Sequence, residues 1–385
     1  MRVCVLGGAG HIGAQAATYL APHPAVSALV IADIDEAAAR RVADSCGPKC
    51  QAARCDIYSD SDLARLIADN DLVINMVGPF FRHGARILIA AINAKCNYVD
   101  INDDWEPTRA MMELDAQARK AGVTAVIGMG SSPGLTNLLA AKVAAQLDKV
   151  ERLYTGWTMA GTVDESELLD IVSQSGAPSA AMIHWLRQVS GNIEVLREGA
   201  LRQASPVEQI RFYYPGLGEC SGWTIGHPEP ITFATSYPGL RESYNLMGLN
   251  ETMAAALREV GAAIDSGALT HEQAARQMIG GLGEDSGMLD ANEITAPVIF
   301  AYGEGSAGGR KMRVGAHPKR LPAGLLDAWT AGPLAVGAVL VGEGKASGHG
   351  VLSPERAFDV DAFFEAFAPL CEGEGEVIEL RVESL

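Results

Sequence analysis

Val3-Cys4-Val5-Leu6-Gly7-Gly8-Ala9-Gly10-His11-Ile12-Gly13 carries more of the fold than any other stretch of this chain. Val3–Leu6 is apolar without a break, as a strand covered on both faces must be. Gly8, Gly10 and Gly13 then fall in the spacing GxGxxG, and a helical pattern runs through His11–Leu20. In that order of strand, glycine turn and helix, the glycines allow a tight turn, a close backbone approach to a pyrophosphate, and close helix–strand packing. The helix N-terminus then meets the anion with unpaired N–H groups and the positive end of its dipole. The same spacing also occurs in ordinary βα turns, so its context matters. Asp33 closes the next strand, 33 − 13 = 20 residues past the last glycine, where a carboxylate accepts hydrogen bonds from ribose hydroxyls. A dinucleotide site is therefore expected at Gly8, Gly10, His11, Ile12, Gly13, Asp33 and Ile34. A carboxylate at Asp33 repels a 2′-phosphate, and Asp35 adds a second negative charge. Arg40 and Arg41 lie inside the following helix. NAD is expected rather than NADP.

Working outward, the first 128 residues alternate β-rich runs with amphipathic helical stretches. Strands are expected at Val3–Leu6, Ala28–Ala32, Cys50–Cys55, Leu72–Met76, Tyr98–Asp100 and Val123–Gly128. Helices are expected at His11–Leu20, Glu36–Ser45, Ser61–Ala68, Ala85–Ala94 and Trp105–Ala121. Such alternation implies right-handed crossovers and an α/β, doubly wound parallel sheet. After Gly128 the pattern changes. Helices (Pro133–Leu147, Ala180–Val189, Leu249–Ser266, His271–Gly280) mix with β-like runs (Val150–Met159, Ile193–Glu198, Ile210–Tyr214, Ile231–Ser236, Ile294–Tyr302), which reads as a second, α+β domain. Thr330–Gly342 and Val360–Ala368 read as helices, Glu376–Val382 as an edge strand, and Gly303–Gly309 as a hairpin tip.

The chain's 385 residues exceed what one core ordinarily serves, in keeping with two domains. Lysine plus arginine number 30 against 47 aspartates and glutamates, a net charge of −17. A field of that sign disfavours nucleic acid and anionic membrane surfaces as partners. The longest apolar run, Leu334–Val341, is far short of the ~18 residues a spanning helix requires. The N-terminus lacks the features of a signal peptide. Seven cysteines, an odd number, suit reduced thiols in a cytoplasm. Cys46, Cys50 and Cys55 cluster without the paired spacing of zinc sites and without histidine, so no metal site is expected.

Further candidates lie where a doubly wound sheet binds its ligand, outside the carboxyl ends of the strands. Asn75, Val77, Gly78 and Pro79 end the fourth strand and are placed to border the nicotinamide ribose, or to form a simple Gly-Pro turn. Asp56 and Ile57 follow the third strand on the adenine side, where Asp56 could equally cap the next helix. Asp100 ends the fifth strand, positioned either to neutralise a substrate ammonium or to accept hydrogen bonds within its loop. Asn137 could donate to the nicotinamide carboxamide or to substrate, or satisfy the Ser131–Gly134 turn. In the second domain, His227 and Glu229 stand two apart between prolines beside Trp223. His184 and Arg187 share a helical stretch, Arg187 being suited to hold a carboxylate, and Arg241 and Tyr244 form a further pair. The catalytic candidates are Asp100, His227 and His184. The substrate candidates are Asn137, Arg187, Trp223, Glu229, Arg241 and Tyr244.

Four blocks resemble the saccharopine dehydrogenase family, with its lysine 6-dehydrogenase and carboxynorspermidine dehydrogenase branches. They are VCVLGGAGHIG at Val3–Gly13, DLVINMVGPFFRHG at Asp71–Gly84, KCNYVDINDDW at Lys95–Trp105, and AGVTAVIGMGSSPGLTNLLA at Ala121–Ala140. In the last block, Pro133, Gly134 and Asn137 match the family's PG…N signature. GPLAVGAVLV (Gly332–Val341) and GHGVLSPE (Gly348–Glu355) extend the likeness, which is thin between Glu165 and Lys319. The resemblance implies a Rossmann-like domain built from both chain ends, with a central domain for substrate and dimerisation. The expected division is 1–128 for the dinucleotide, 129–328 for substrate and dimerisation, and 329–385 as a return onto the first domain. It also implies hydride transfer between a nicotinamide and a carbon bearing nitrogen, on an amino acid, amine or imine, by a homodimer. Two other readings stay open: an enoyl-reductase-like reduction of a carbon–carbon double bond, and a non-catalytic NAD(H)-binding sensor or interaction protein.

Overall fold

The computed structural model describes residues 1–158, 180–281 and 296–385. Residues 294 and 295, the start of the expected run Ile294–Tyr302, lie outside them. The chain forms two compact units, Met1–Leu138 with Arg320–Val377, and Leu139–Lys319 with Ile378–Leu385.

The first unit begins β1 (Arg2–Leu6), α1 (His11–Leu20), β2 (Ala28–Asp33), α2 (Glu36–Cys46), β3 (Cys50–Arg54), α3 (Asp60–Ala68) and β4 (Leu72–Asn75). It continues with α4 (Phe80–Ala94), β5 (Asn97–Asp100), α5 (Trp105–Met112), α6 (Asp115–Ala121) and β6 (Thr124–Val126), and α7 (Leu135–Ala144) follows. The sheet order is β3-β2-β1-β4-β5-β6, extended by the later strand Gly350–Leu352, and all its pairs are parallel. This is the Rossmann-like α/β fold, whose order reverses between β1 and β4. The buried residues of β1 and β4 explain their central place, whereas the polar β3 (CQAAR) lies at an edge. Asp35 and Ser59 start α2 and α3 by accepting the N–H of Ala38 and Asp62.

Two helices differ from expectation. α4 begins at Phe80, not Ala85, because Pro79 presets its own backbone and occupies the N-cap, where its missing N–H costs nothing. The stretch Trp105–Ala121 breaks around Glu113–Leu114 into α5 and α6.

In the second unit, nine strands among the described residues form a mixed sheet. They are β7 (Lys149–Thr158), β8 (Ile193–Arg197), β9 (Ala200–Ala204), β10 (Gln209–Tyr214), β11 (Gly218–Thr224), β12 (Glu242–Gly248), β13 (Ile299–Ala307), β14 (Arg310–Pro318) and, after β15 (Gly350–Leu352) of the first unit, β16 (Ile378–Ser384). Their order is β10-β11-β12-β7-β13-β14-β16, with β8 and β9 joined to β12. The helices are α8 (Ala180–Gln188), α9 (Glu229–Ser236), α10 (Glu251–Asp265) and α11 (His271–Gly281). One face of the sheet packs rings from Tyr154, Phe212, Tyr214, Tyr244, Phe300 and Tyr302. The other packs Met247 and Trp157 with Trp185, Trp223 and helical side chains.

Ile231–Ser236, read as a strand from its β-branched residues, is the helix α9, started by Pro228 and Pro230 in a geometry that forbids strand pairing. The hairpin tip is Gly308–Gly309 alone, and Gly303 and Gly305 lie inside β13. The segment 329–385, read as one return, is divided: its last strand, β16, pairs with β14 in the second unit. No helix among the described residues is long and apolar enough to cross a membrane.

Candidate dinucleotide site and a buried polar cluster

The glycine turn is built from three different constraints. A Cβ on Gly13 would lie 2.8 Å from both the Gly7 carbonyl oxygen and the Gly8 Cα, so only glycine lets α1 sit on the turn. A Cβ on Gly8 would meet Ile31 Cγ2 and the Val5 carbonyl at 3.0 Å. A Cβ on Gly10 meets nothing nearer than 3.5 Å, and that position is exposed. Position 10 is therefore free of the packing demand that positions 8 and 13 carry. α1 begins at Gly10 with no side-chain cap, so its first-turn N–H groups are open to an anion.

Asp33 stands where expected, but its carboxylate is already engaged. One oxygen accepts the N–H of Ala9 at 3.2 Å and the other that of Asp35 at 3.1 Å. Beside it in the sheet register is Arg54, exposed at the end of β3 and 3.9 Å from Asp62. Arg40 pairs with Glu36 at 2.7 Å. Ile34, just past β2, and Tyr58, in the turn before α3, are exposed large hydrophobic side chains, as an adenine ring would require of its neighbours. Asp56 accepts the N–H of Tyr58 at 3.0 Å.

Asn75, Asp100 and Asn137 are all fully buried. Asn75 accepts the N–H of Val77 at 2.9 Å and donates to the Tyr98 hydroxyl at 2.9 Å, so it shapes the loop of Val77, Gly78 and Pro79. The Tyr98 hydroxyl donates to Asp100 at 2.7 Å. The other Asp100 oxygen accepts the N–H groups of Asn102 (3.0 Å) and Gly128 (2.7 Å). Burial pushes the Asp100 carboxyl up to about 6, while those three hydrogen bonds hold it down. Of the two roles foreseen for Asp100, the geometry carries that of loop acceptor. Asn137 accepts the N–H of Gly134 at 2.9 Å, as the turn reading foresaw, and donates to Glu355 at 2.8 Å. Gly134, at φ +121°, packs so closely on Gly130 that a Cβ would lie 2.1 Å from its carbonyl oxygen. The PG…N block thus ties the loop after β6 to Glu355, which follows the strand Gly350–Leu352.

In the second unit, the His227 imidazole lies 3.3 Å from Glu229, both buried, and Glu229 accepts from Asn245 at 2.8 Å. Asn245 also donates to Thr155 at 3.0 Å, and Trp157 flanks His227 with ring centroids 6.1 Å apart. Asn245, Thr155 and Trp157 escaped the sequence reading because they come from β12 and β7, paired in parallel register. Tyr244 faces the opposite side of the sheet and accepts from Arg197 at 3.1 Å. Arg241 is exposed, and Trp223 is a core residue with Arg258 4.9 Å over its ring. His184 contacts Gln188 at 2.9 Å on α8, one turn from half-buried Arg187.

A seven-stranded parallel sheet with an uncapped, glycine-cradled helix start defines the dinucleotide-binding α/β class. Residues 3–126 match the family model for the saccharopine dehydrogenase NADP binding domain. It is 32% identical over 102 residues to saccharopine dehydrogenase (NADP(+), L-glutamate-forming) of Saccharomyces cerevisiae, covering 26% of this chain and 21% of that one. It is 34% identical over 92 residues to the enzyme of the same name from Pyricularia oryzae, covering 24% of this chain and 19% of that one. The match thus spans about a fifth of either relative's length. The apo structure of saccharopine dehydrogenase (L-Glu forming) from Saccharomyces cerevisiae shares the fold, with a TM-score of 0.64 at 16% identity over 99% of each chain.

These matches overturn the expectation of NAD, since both the family model and the relatives are NADP-linked. Arg40 and Arg41 follow Asp33 along the chain, whereas the sheet register brings a further cation, Arg54, beside Asp33 from the next strand.

Proposed function

We propose that the chain is an NADP-linked oxidoreductase that transfers hydride at a carbon–nitrogen centre of an amino acid, amine or imine, in the cytoplasm. The carrying observation is the exposed, side-chain-free Gly10 at the uncapped start of α1. The likeness to enzymes named for saccharopine and L-glutamate supports the substrate class.

Gly8–Gly13 would hold the pyrophosphate, Ile34 and Tyr58 the adenine, Asp33 the ribose, and Arg54 the 2′-phosphate. The nicotinamide, when bound, supplies or accepts the hydride. The chain's own contribution is to position that ring through the loop at Val77–Pro79, which Asn75 holds in shape. His227 is the proposed proton-handling residue, oriented by Glu229, which Asn245 holds in turn.

Titration with NADPH, followed by energy transfer from tryptophan, tests the cofactor half of this reading, and saturable binding is expected. Absorbance at 340 nm across a panel of amino acids, amines and imines tests the chemistry. His227→Ala should lower kcat by roughly 10²–10⁴-fold while leaving NADPH affinity unchanged. Failure to bind NADPH at millimolar concentration would defeat the proposal.

A further inference from the structure

The turn between β3 and α3 carries an aromatic ring, Tyr58, that is 67% accessible although it belongs to no helix or strand. α4 holds that turn at two levels. At the backbone, the Arg86 guanidinium donates to the Ile57 carbonyl at 3.0 Å and to the Tyr58 carbonyl at 3.4 Å, and it pairs with the Asp60 carboxylate. At the ring, the His83 imidazole and Tyr58 form a T-shaped pair, with centroids 5.4 Å apart and planes at 82°. His83 and Arg86 stand three apart on α4, so one face of that helix makes both contacts. Within the turn itself, Asp56 accepts the Tyr58 N–H at 3.0 Å.

Hydrogen bonding does not explain an imidazole at this place. His83 is 6% accessible, and its Nδ1 is enclosed with no hydrogen-bond partner among the described residues. Burial, and then the charges of Arg82 and Arg86, push its pKa below the ordinary histidine range, so the ring is neutral at pH 7. An enclosed, unpaired nitrogen costs the fold stability that an apolar ring would not. The contact the imidazole does make is ring to ring, with Tyr58.

We propose that His83 is a positioning residue of the cofactor site, holding the Tyr58 ring in the orientation that stacks on the adenine. This rests on the cofactor half of the reading above, in which Ile34 and Tyr58 border the adenine. A tyrosine on a turn loses rotamer freedom when a ligand orders it, and that loss weakens binding. A ring already held by a buried neighbour avoids the loss. A T-shaped pair occupies at most one face of the Tyr58 ring and leaves another for a flat base. Because the contact is made by the ring and not by a nitrogen, phenylalanine at position 83 should replace histidine, whereas alanine should not.

The test is a double-mutant cycle on NADPH affinity in the intact chain, read by energy transfer from tryptophan. Tyr58→Ala should weaken binding roughly 10–100-fold, the worth of one base–aromatic stack. His83→Ala should weaken it roughly 3–10-fold, the worth of one aromatic pair, and His83→Phe should keep the parent affinity. In the Tyr58→Ala background, His83→Ala should have no further effect, because a residue acting through Tyr58 loses its role with that ring. A merely structural role would cost the same in both backgrounds. With a parent that binds NADPH, three results would each overturn the proposal: an unchanged affinity in His83→Ala, an undiminished loss in the Tyr58→Ala background, or a His83→Phe that binds as weakly as His83→Ala. A parent that binds no NADPH would defeat the cofactor reading itself, and this inference with it.

Discussion

Asp100 shows how a single carboxyl can look catalytic in sequence and yet work as a clasp. Its pKa rises from the ordinary 3.8 to about 6, chiefly through burial. Between those values the native state binds more proton than the unfolded chain, so this group's contribution to stability falls as pH rises through the window. The ionised form costs about 3 kcal/mol at neutral pH. Asp100→Asn removes the titration and orphans the Tyr98 hydroxyl proton, a cost that does not vary with pH. The melting temperature of the variant should therefore gain on that of the parent from pH 4 to pH 7. Parallel curves would show that the carboxyl does not titrate there. Arg54 makes the second residue-scale prediction. Arg54→Ala should raise KM for NADPH roughly 10–100-fold, the worth of a charge-assisted hydrogen bond, and leave that for NADH nearly unchanged. Equal effects on both would remove Arg54 from 2′-phosphate recognition.

Among the elements, the turn into α1 separates packing from ligand binding within one motif. Gly10→Ala adds a methyl where no atom lies within 3.5 Å, whereas Gly13→Ala drives one into backbone at 2.8 Å. Gly10→Ala should keep the parent melting temperature and lose NADPH affinity. Gly13→Ala should lose affinity and also about 1–3 kcal/mol of stability, the usual cost of overpacking. Calorimetry with and without NADPH distinguishes the two, and a destabilised Gly10→Ala would contradict the assignment. The elements also mark where sequence patterns sufficed. The central strands of the first unit were legible because burial on both faces leaves an unbroken apolar run. α9 was misread because Ile231, Thr232 and Thr235 favour strands locally, while Pro228 and Pro230 and the packing of the helix on β12 decide otherwise.

For the whole molecule, the parallel sheet and its ligand-binding end follow from the chain's opening residues, whereas the mixed sheet of the second unit does not. Its neighbours β7, β12 and β13 are far apart in sequence, and glycine-bearing strands such as β11 carry little pattern of their own. By itself the sequence determined the doubly wound unit, the glycine turn and the position of Asp33, because each rests on a local period or a spacing within one βαβ segment. Tertiary structure alone decided that Arg54 stands beside Asp33, that Asp100 is enclosed, and that His227 and Glu229 share a cluster with Asn245 and Thr155. Those pairings arise from sheet register between distant strands, and a register is fixed by packing across the sheet, not by any short run of residues.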